Sequence, residues 1–219
     1  MKKITIGLNK KDIENAQKYL LNLKKQIPKM QQEFLMAVAK WIVKQADGYI
    51  DQADLGSLVK DKIKKSWDFQ PIANGIKVIN NAQKTKTHKT ADGGTETWEV
   101  PLAVLVEFGV GSVGQSQSHP NASAEGYEYN MESPYKSADG SWSFWLNSNE
   151  RDLPMSAFTD FGTYDDHRKG GKRMVVTTFG AKGVWYAYNA IVDAQIELAK
   201  ANGGEIGALW ETVKRKYIK

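Results

Sequence analysis

No cysteine occurs among the 219 residues, which excludes disulfides, zinc–thiolate centres and thiol catalysis together. Histidine is nearly as scarce. His88, His119 and His167 stand in three separate polar stretches, and none has a second ligand at helical spacing, so no metal centre is expected. No segment approaches the ~18 consecutive apolar residues that a membrane helix requires. The opening residues, MKKITIGLNKKD, lack an apolar core and do not read as a secretory signal. Serines are common between 112 and 148, yet no GxSxG nucleophile elbow occurs. No internal repeat is present. These absences point to a reducing interior or an assembled particle, with no catalytic residue, cofactor or metal to name.

What is present is enough to fold. Hydrophobic residues make up 41% of the chain, with 7 Trp, 9 Tyr and 7 Phe, so a sizeable core can form and intrinsic disorder is not expected. The net charge of +5 conceals a strong segregation. Residues 1–89 hold 18 Lys against 8 acids, residues 90–170 hold 4 basic residues against 13 acids, and residues 171–219 hold 8 against 4. The balances are therefore +10, −9 and +4. Such segregation suits charge-complementary contact with nucleic acid or between copies of one protein. Lysine-rich helices also arise simply as solvated faces.

Taken in order, residues 2–8 alternate apolar and polar and read as a strand carrying Ile4, Ile6 and Leu8. Asn9 then caps a helix through Ile27, with Ile13, Ala16, Leu20 and Leu23 on one face. Pro28 suits the first turn of a second helix bearing Phe34, Val38, Trp41 and Ile42, the alternative being one long kinked helix. Leu55, Leu58 and Ile63 mark a short amphipathic helix. Trp67 to Ile72 and Ile76 to Asn80 read as strands joined by an Asn74-Gly75 turn. Residues 81–94 read as a polar, mobile loop, and Thr95 to Val100 as a returning strand. Pro101 opens an apolar run predicted as a short buried helix ending at Gly109, with a strand as the competing reading. Within 112–170, Trp142 to Leu146 is a candidate strand, and Met174 to Phe179 another beyond it. An apolar stripe of Trp185, Tyr188, Ile191, Val192 and Ile196 predicts a helix ending near Gly203-Gly204, followed by a last helix from Glu205 to Lys219.

Three features invite a chemical reading. Gly109, Gly111 and Gly114 are spaced as GxGxxG. A dinucleotide loop needs a helix opening at the third glycine, whereas QSQSHPNASAEG follows here. The glycines are expected instead to end an element and to let backbones approach closely, with the spacing to Gly114 coincidental. Asp165-Asp166-His167 is the one dense acid–histidine cluster, and it reads as solvated. The aromatic residues Tyr127, Tyr129, Tyr135, Trp142, Phe144 and Trp145 lie in acidic surroundings that repel phosphate, so protein contact is the better expectation for them. The lysine runs Lys60, Lys62, Lys64, Lys65 and Lys84, Lys86, Lys89 lack interleaved aromatics, so only salt-sensitive phosphate contact is open to them. Glu107 lies inside the apolar run. If buried it needs an Arg, a Lys or a pair of backbone N–H groups as its partner, and it is expected to anchor the loop after Phe108 or an intersubunit contact.

The order of these pieces resembles a known family. An amphipathic N-terminal helix leads to Gly56 and Leu58 and on to Ser66. A hairpin follows, then V-E-F-G-x-G at Val106, Glu107, Phe108, Gly109 and Gly111, a variable region, and a C-terminal helix reached through Gly180, Ala187 and Ala190. Together they resemble the tail-component family of long-tailed bacteriophages, whose members are called neck, head-to-tail joining or tail-completion proteins. Val110 stands where the family usually has Thr, and Trp185-Tyr186 where it tends to have Pro-Phe. The resemblance covers residues 30–111 and 171–200 and leaves out 112–170. It implies an α+β fold with a small antiparallel sheet packed with N- and C-terminal helices. Residues 1–111 and 171–219 would form one ring-forming domain, with 112–170 as an inserted aromatic, Gly-rich arm. It also implies a structural, non-enzymatic virion protein forming a hexameric or dodecameric ring around the DNA channel between the portal complex and the tail tube. Its partners would be copies of itself, neighbouring neck and tail-tube proteins and the passing DNA, with no membrane. Glu107, Phe108, Gly109, Gly111, Tyr127, Tyr129, Trp142, Phe144 and Trp145 are the expected interaction residues. The rival readings are a basic nucleic-acid-binding module acting through the lysine-rich N-terminal half, and a hydrolase sited in 112–170.

Overall fold

The computed structural model describes residues 10–89, 93–129, 142–146, 160–166, 171–178 and 180–218. The predicted strand over 2–8 and the Asn9 cap lie outside them. Helix α1 runs from Lys10 to Gln52 as a single element of 43 residues with Pro28 inside it. The division expected at Pro28 is therefore absent. Proline forfeits one backbone hydrogen bond and crowds the preceding turn, but good helix formers flank it and the chain begins to bury side chains two residues later, at Met30. Helix α2 (Ser57–Lys64) follows, burying Ile63 while Leu58 stays exposed.

Strands β1 (Trp67–Ile72) and β2 (Gly75–Asn80) form the expected hairpin. Its turn falls on Ala73-Asn74, and neither Asn74 nor Gly75 takes a positive φ, so the anticipated Asn-Gly geometry is not the one used. The predicted loop over 81–94 is mostly ordered backbone. Strand β3 (Lys84–Lys89) pairs antiparallel with β4 (Thr95–Val100), from Lys84 opposite Val100 to Lys89 opposite Thr95. Lys84, Thr85, Thr97 and Glu99 are exposed, so this ribbon carries no hydrophobic alternation. Its backbone groups are satisfied by the partner strand all the same.

Helix α3 (Leu102–Phe108) realises the apolar run as a helix, with Pro101 at its N-cap. Strand β5 (Gly109–Val110) and the short helix α4 (Gly111–Ser116) follow directly. Strands β6 (Trp142–Leu146), β7 (Asp160–Asp166) and β8 (Gly171–Thr178) form a sheet ordered β6-β8-β7, antiparallel throughout. Strand β9 (Gly180–Lys182) pairs antiparallel with β5. Helix α5 (Tyr186–Ala199), a 3-10 turn and helix α6 (Gly204–Tyr217) complete the chain. The fold is α+β, with helices at both ends and antiparallel strand pairs between them. Among the described residues the strands are distributed over four small sheets.

The chain forms two compact units, whose boundaries cross the 111/112 and 170/171 divisions read from the sequence. One comprises α1 up to Lys44, Phe69–Ile79 and the chain from Ala190. Its core holds Met30, Ala39, Ile206 and Val213. Phe34 meets Trp210 edge-on at 5.4 Å, Trp41 Nε1 donates to Glu205 Oε2 at 2.8 Å, and Tyr217 Oη donates to Glu33 at 2.9 Å. The other unit comprises Gln45–Asp68 and the described part of Asn80–Asn189. Ala46, Ile50, Ile63, Ala103, Val106 and Tyr186 are buried there, and Trp67 Nε1 donates to Asp47 at 2.9 Å.

The second unit holds one unusually close backbone approach. A Cβ on Gly109 would lie 2.4 Å from the Gly183 nitrogen, and one on Gly183 would lie 2.5 Å from the Glu107 carbonyl oxygen. Gly109 also has φ +82° with ψ −177°, a conformation essentially restricted to glycine that costs another residue on the order of 1–3 kcal/mol. Gly109→Ala is therefore expected to destabilise by about 2–4 kcal/mol through strain and overpacking together. Gly48, inside α1 with open space around it, is the contrasting site. Gly48→Ala should stabilise by about 0.5–1 kcal/mol, and urea midpoints of the two variants against the parent check both signs.

Candidate functional site

Helix α5 begins in an unusual way. Trp185 occupies its N-cap: the Trp185 carbonyl accepts the first helical bond, from Asn189 N–H at 2.8 Å, and Trp185 itself has φ +56°. An N-cap normally supplies a side-chain oxygen to the N–H groups two and three residues on. Tryptophan has no such acceptor. Glu107, eighty residues earlier at the end of α3, takes that role. Its Oε2 accepts from Ala187 N–H at 2.8 Å, and its Oε1 from Tyr188 N–H at 3.0 Å. Only 7% of Glu107 is exposed. The buried charge is thus offset by two backbone donors and by the positive end of the helix dipole, the backbone-pair option foreseen for it.

A third donor completes the carboxylate's surroundings. His119 Nε2 lies 3.0 Å from Glu107 Oε1, and His119 Nδ1 accepts from Asn121 N–H at 3.0 Å. This pattern assigns the neutral tautomer with the proton on Nε2, directed at Glu107. The imidazole is sandwiched among Phe108 (4.4 Å), Tyr188 (5.3 Å) and Trp185 (5.7 Å). The His119 N–H donates to Tyr129 Oη at 2.7 Å. Both ring nitrogens are committed, so the imidazole has no free lone pair with which to take a proton from a substrate. It works as a clamp.

Backbone hydrogen bonds draw the same segments together. Val184 N–H donates to the Val106 carbonyl at 2.8 Å and Trp185 N–H to the Glu107 carbonyl at 3.2 Å. Gly111 N–H reaches the Tyr129 carbonyl at 2.9 Å. Gly114 lies against the same cluster: a Cβ there would fall 2.9 Å from the Gly109 carbonyl carbon and 3.1 Å from the Tyr129 ring. The third glycine of the GxGxxG spacing is therefore a packing requirement, which corrects the expectation that its spacing was coincidental.

The predicted interaction residues divide accordingly. Glu107, Phe108, Gly109, Gly111, Tyr127 and Tyr129 come together. Tyr127 stacks on Phe108 at 4.6 Å and donates its hydroxyl to the Gly109 carbonyl at 2.5 Å, and Tyr129 is buried. Burial raises the Tyr127 phenol above its ordinary pKa, with a smaller contribution from Tyr129. Trp142, Phe144 and Trp145 contribute backbone to β6, opposite Thr178, Val176 and Val175, while their side chains lie outside the described residues. His119 was missed, because in sequence it sits in a polar run with nothing to mark it as buried. The predicted solvated cluster is described only as far as Asp166, and His167 lies outside.

The lysines are largely engaged within the chain. Lys60 Nζ donates to the Asp51 carbonyl at 2.9 Å, Lys64 pairs with the Asp51 carboxylate at 2.7 Å, and Lys65 pairs with Asp61 at 3.0 Å. Lys62 is exposed. Lys84, Lys86 and Lys89 lie on β3, with the Lys86 and Lys89 side chains outside the described residues. Among the described residues, no helix is long and apolar enough to cross a membrane and no three metal-ligating side chains converge. No family model matches the chain, and neither a curated protein nor a solved structure matches it.

Two outcomes follow from the clamp. In Glu107→Gln the amide nitrogen must face either the α5 N–H groups or His119, and His119 cannot change tautomer while Asn121 holds Nδ1. A loss of about 2–3 kcal/mol is expected from the stranded donor and the missing charge, read as a drop in urea midpoint. Tyr186 Oη donates to the Ala103 carbonyl at 3.0 Å, and burial, then the charge of Glu107, hold its phenol well above the ordinary value. The unfolded phenol ionises near pH ~10 while the folded one stays protonated. This contribution is therefore level below pH ~10 and is lost as pH rises above it, by about 1.4 kcal/mol per pH unit. Tyr186→Phe should flatten that slope in urea titrations at pH 8, 10 and 11.

Proposed function

We propose that this chain is a structural virion protein of the neck or tail end of a long-tailed bacteriophage. It acts by assembly into a ring around the DNA channel between the portal complex and the tail tube, as a joining, completion or terminator subunit. Two things support the reading: the resemblance carried by Val106 to Gly111, and the large apolar side chains that each unit leaves exposed. The exposed side chains carry the argument. Leu58 on α2, Val104 on α3, and Ile191, Ile196 and Leu198 on α5 are 68, 40, 50, 52 and 59% exposed. Scattered single exposures are normal in a monomer, but this many large aliphatic residues, from helices that are otherwise well packed, favour a subunit with neighbours.

The charge segregation fits the same picture. A head-to-tail ring places one face of each copy against a different face of the next, and blocks of opposite sign give such a contact its orientation. Within this reading the clamp at Glu107 is a rigid joint, holding the helix pair α3 and α5 in fixed register while the surrounding surfaces assemble. Assembly takes place in the bacterial host, and the finished ring resides in the virion.

The nucleic-acid-binding alternative draws less support, since Lys60, Lys64 and Lys65 already have partners in the chain. The two readings separate in solution. The purified chain is expected to form a closed oligomer, visible as a single ring species by mass measurement and by electron microscopy, that persists in 1 M salt. A monomer binding duplex DNA, with an affinity that falls steeply as salt rises, overturns the ring reading and favours the alternative.

A further inference from the structure

One apolar stripe runs along α1 at heptad spacing: Ile13, Ala16, Leu20, Leu23, Ile27, Met30, Phe34, Ala37 and Trp41. Its two halves have different fates. From Met30 onward the stripe is covered by the chain itself. Met30 is 3% exposed, Phe34 packs on Trp210, and Trp41 reaches Glu205. The cover thins where α6 ends: Tyr217 and Lys216, in its last turn, both bind Glu33, and Met30 is the last described residue towards the start of α1 to be buried. Beyond that point Ile13, Leu20 and Ile27 are 43, 59 and 45% exposed. About five turns of helix, roughly 30 Å, thus continue the stripe with these three aliphatic side chains about half exposed.

We propose that this first part of α1, Lys10 to Lys29, pairs in parallel with the same segment of a neighbouring copy as a short coiled coil. A strict alternation of three and four residues is met only by a partner helix of the same period, and a second copy supplies it. The charges agree with that occupant. With Ile13, Leu20 and Ile27 at one seam position and Ala16 and Leu23 at the other, Lys11, Lys18 and Lys25 fall on the row farthest from the seam. The flanking positions that face each other in a parallel pair are Tyr19 with Lys24 and Gln26 with Gln31, so no like charges meet. Two heptads are marginal alone. This inference rests on the ring reading, because a cyclic assembly makes neighbouring arms parallel by symmetry and holds them at high effective concentration.

The absence of cysteine makes a direct test clean. Ile13→Cys, Ile27→Cys and, as a control on the outer surface, Leu21→Cys are each placed in the full chain and treated with a mild oxidant. Mass and circular dichroism are recorded beforehand. A parallel pair brings residue 13 onto residue 13 and residue 27 onto residue 27. An antiparallel pair separates each from its copy by ~21 Å, far beyond disulfide reach. The expected result is a covalent dimer from both isoleucine positions, exceeding that from Leu21→Cys by at least about tenfold. Assembled rings without cross-links at 13 and 27, or with equal cross-linking at 21, overturn the arm pairing and leave the ring reading standing. Cross-links at 13 and 27 in a species of only two copies support the pairing and sink the ring. A parent chain that stays monomeric at every concentration removes both.

Discussion

A carboxylate withdrawn from water is the constraint on which the second unit depends. Glu107 is almost fully buried, and a buried charge is tolerated only if its lone pairs are used. Three donors from two places meet that demand: Ala187 N–H and Tyr188 N–H at the start of α5, and His119 Nε2. Because two of them are the orphan donors at the start of α5, the requirement runs both ways. The helix lacks a capping side chain of its own, since Trp185 stands at its N-cap, and the carboxylate lacks a cation. Each meets the other's need, and α3, α5 and the turn carrying His119 are thereby held in a single arrangement.

The glycines make that arrangement sterically possible. For Glu107 to reach the α5 N-terminus, the chain leaving α3 must lie directly against the chain entering α5. At Gly109 and Gly183 the backbones approach so closely that no β-carbon fits on either side. Gly114 admits the same cluster from the other flank, and Tyr127 closes it through Phe108 and the Gly109 carbonyl. A motif that looks like a phosphate loop is thus occupied by protein: its small residues receive backbone and aromatic rings in place of a ligand.

In the proposed assembly, contacts between copies and internal packing would draw on one pool of apolar side chains. The α1 stripe shows this most clearly, with its distal half serving the first unit's core through Phe34 and Trp41 and its proximal half bare at Ile13, Leu20 and Ile27. Among the described contacts, α6, which ends at Tyr217, covers α1 only from about Met30 onward.

Some of this was legible in the amino-acid order. The amphipathic helices, the β1–β2 hairpin, the helical reading of the run after Pro101, and the need of a buried Glu107 for a compensating partner follow from local periodicity, turn residues and the cost of burying charge, all of which are local quantities. Other features depend on partners remote in sequence. The strand Lys84–Lys89 exists because Thr95–Val100 lies beside it, and its polar sequence, KTKTHK, leaves no hydrophobic alternation to detect. Continuity of α1 through Pro28 reflects packing that begins at Met30, while the isolated preference of proline points the other way. His119 reads as one more polar loop residue until the fold places Glu107, Phe108 and Trp185 around it. The sequence by itself determined that a carboxylate, a set of glycines and a heptad stripe were present. Only tertiary structure decided which donors the carboxylate meets, which backbones the glycines admit and how far along α1 the cover extends, because each is a contact between residues that chain order leaves far apart.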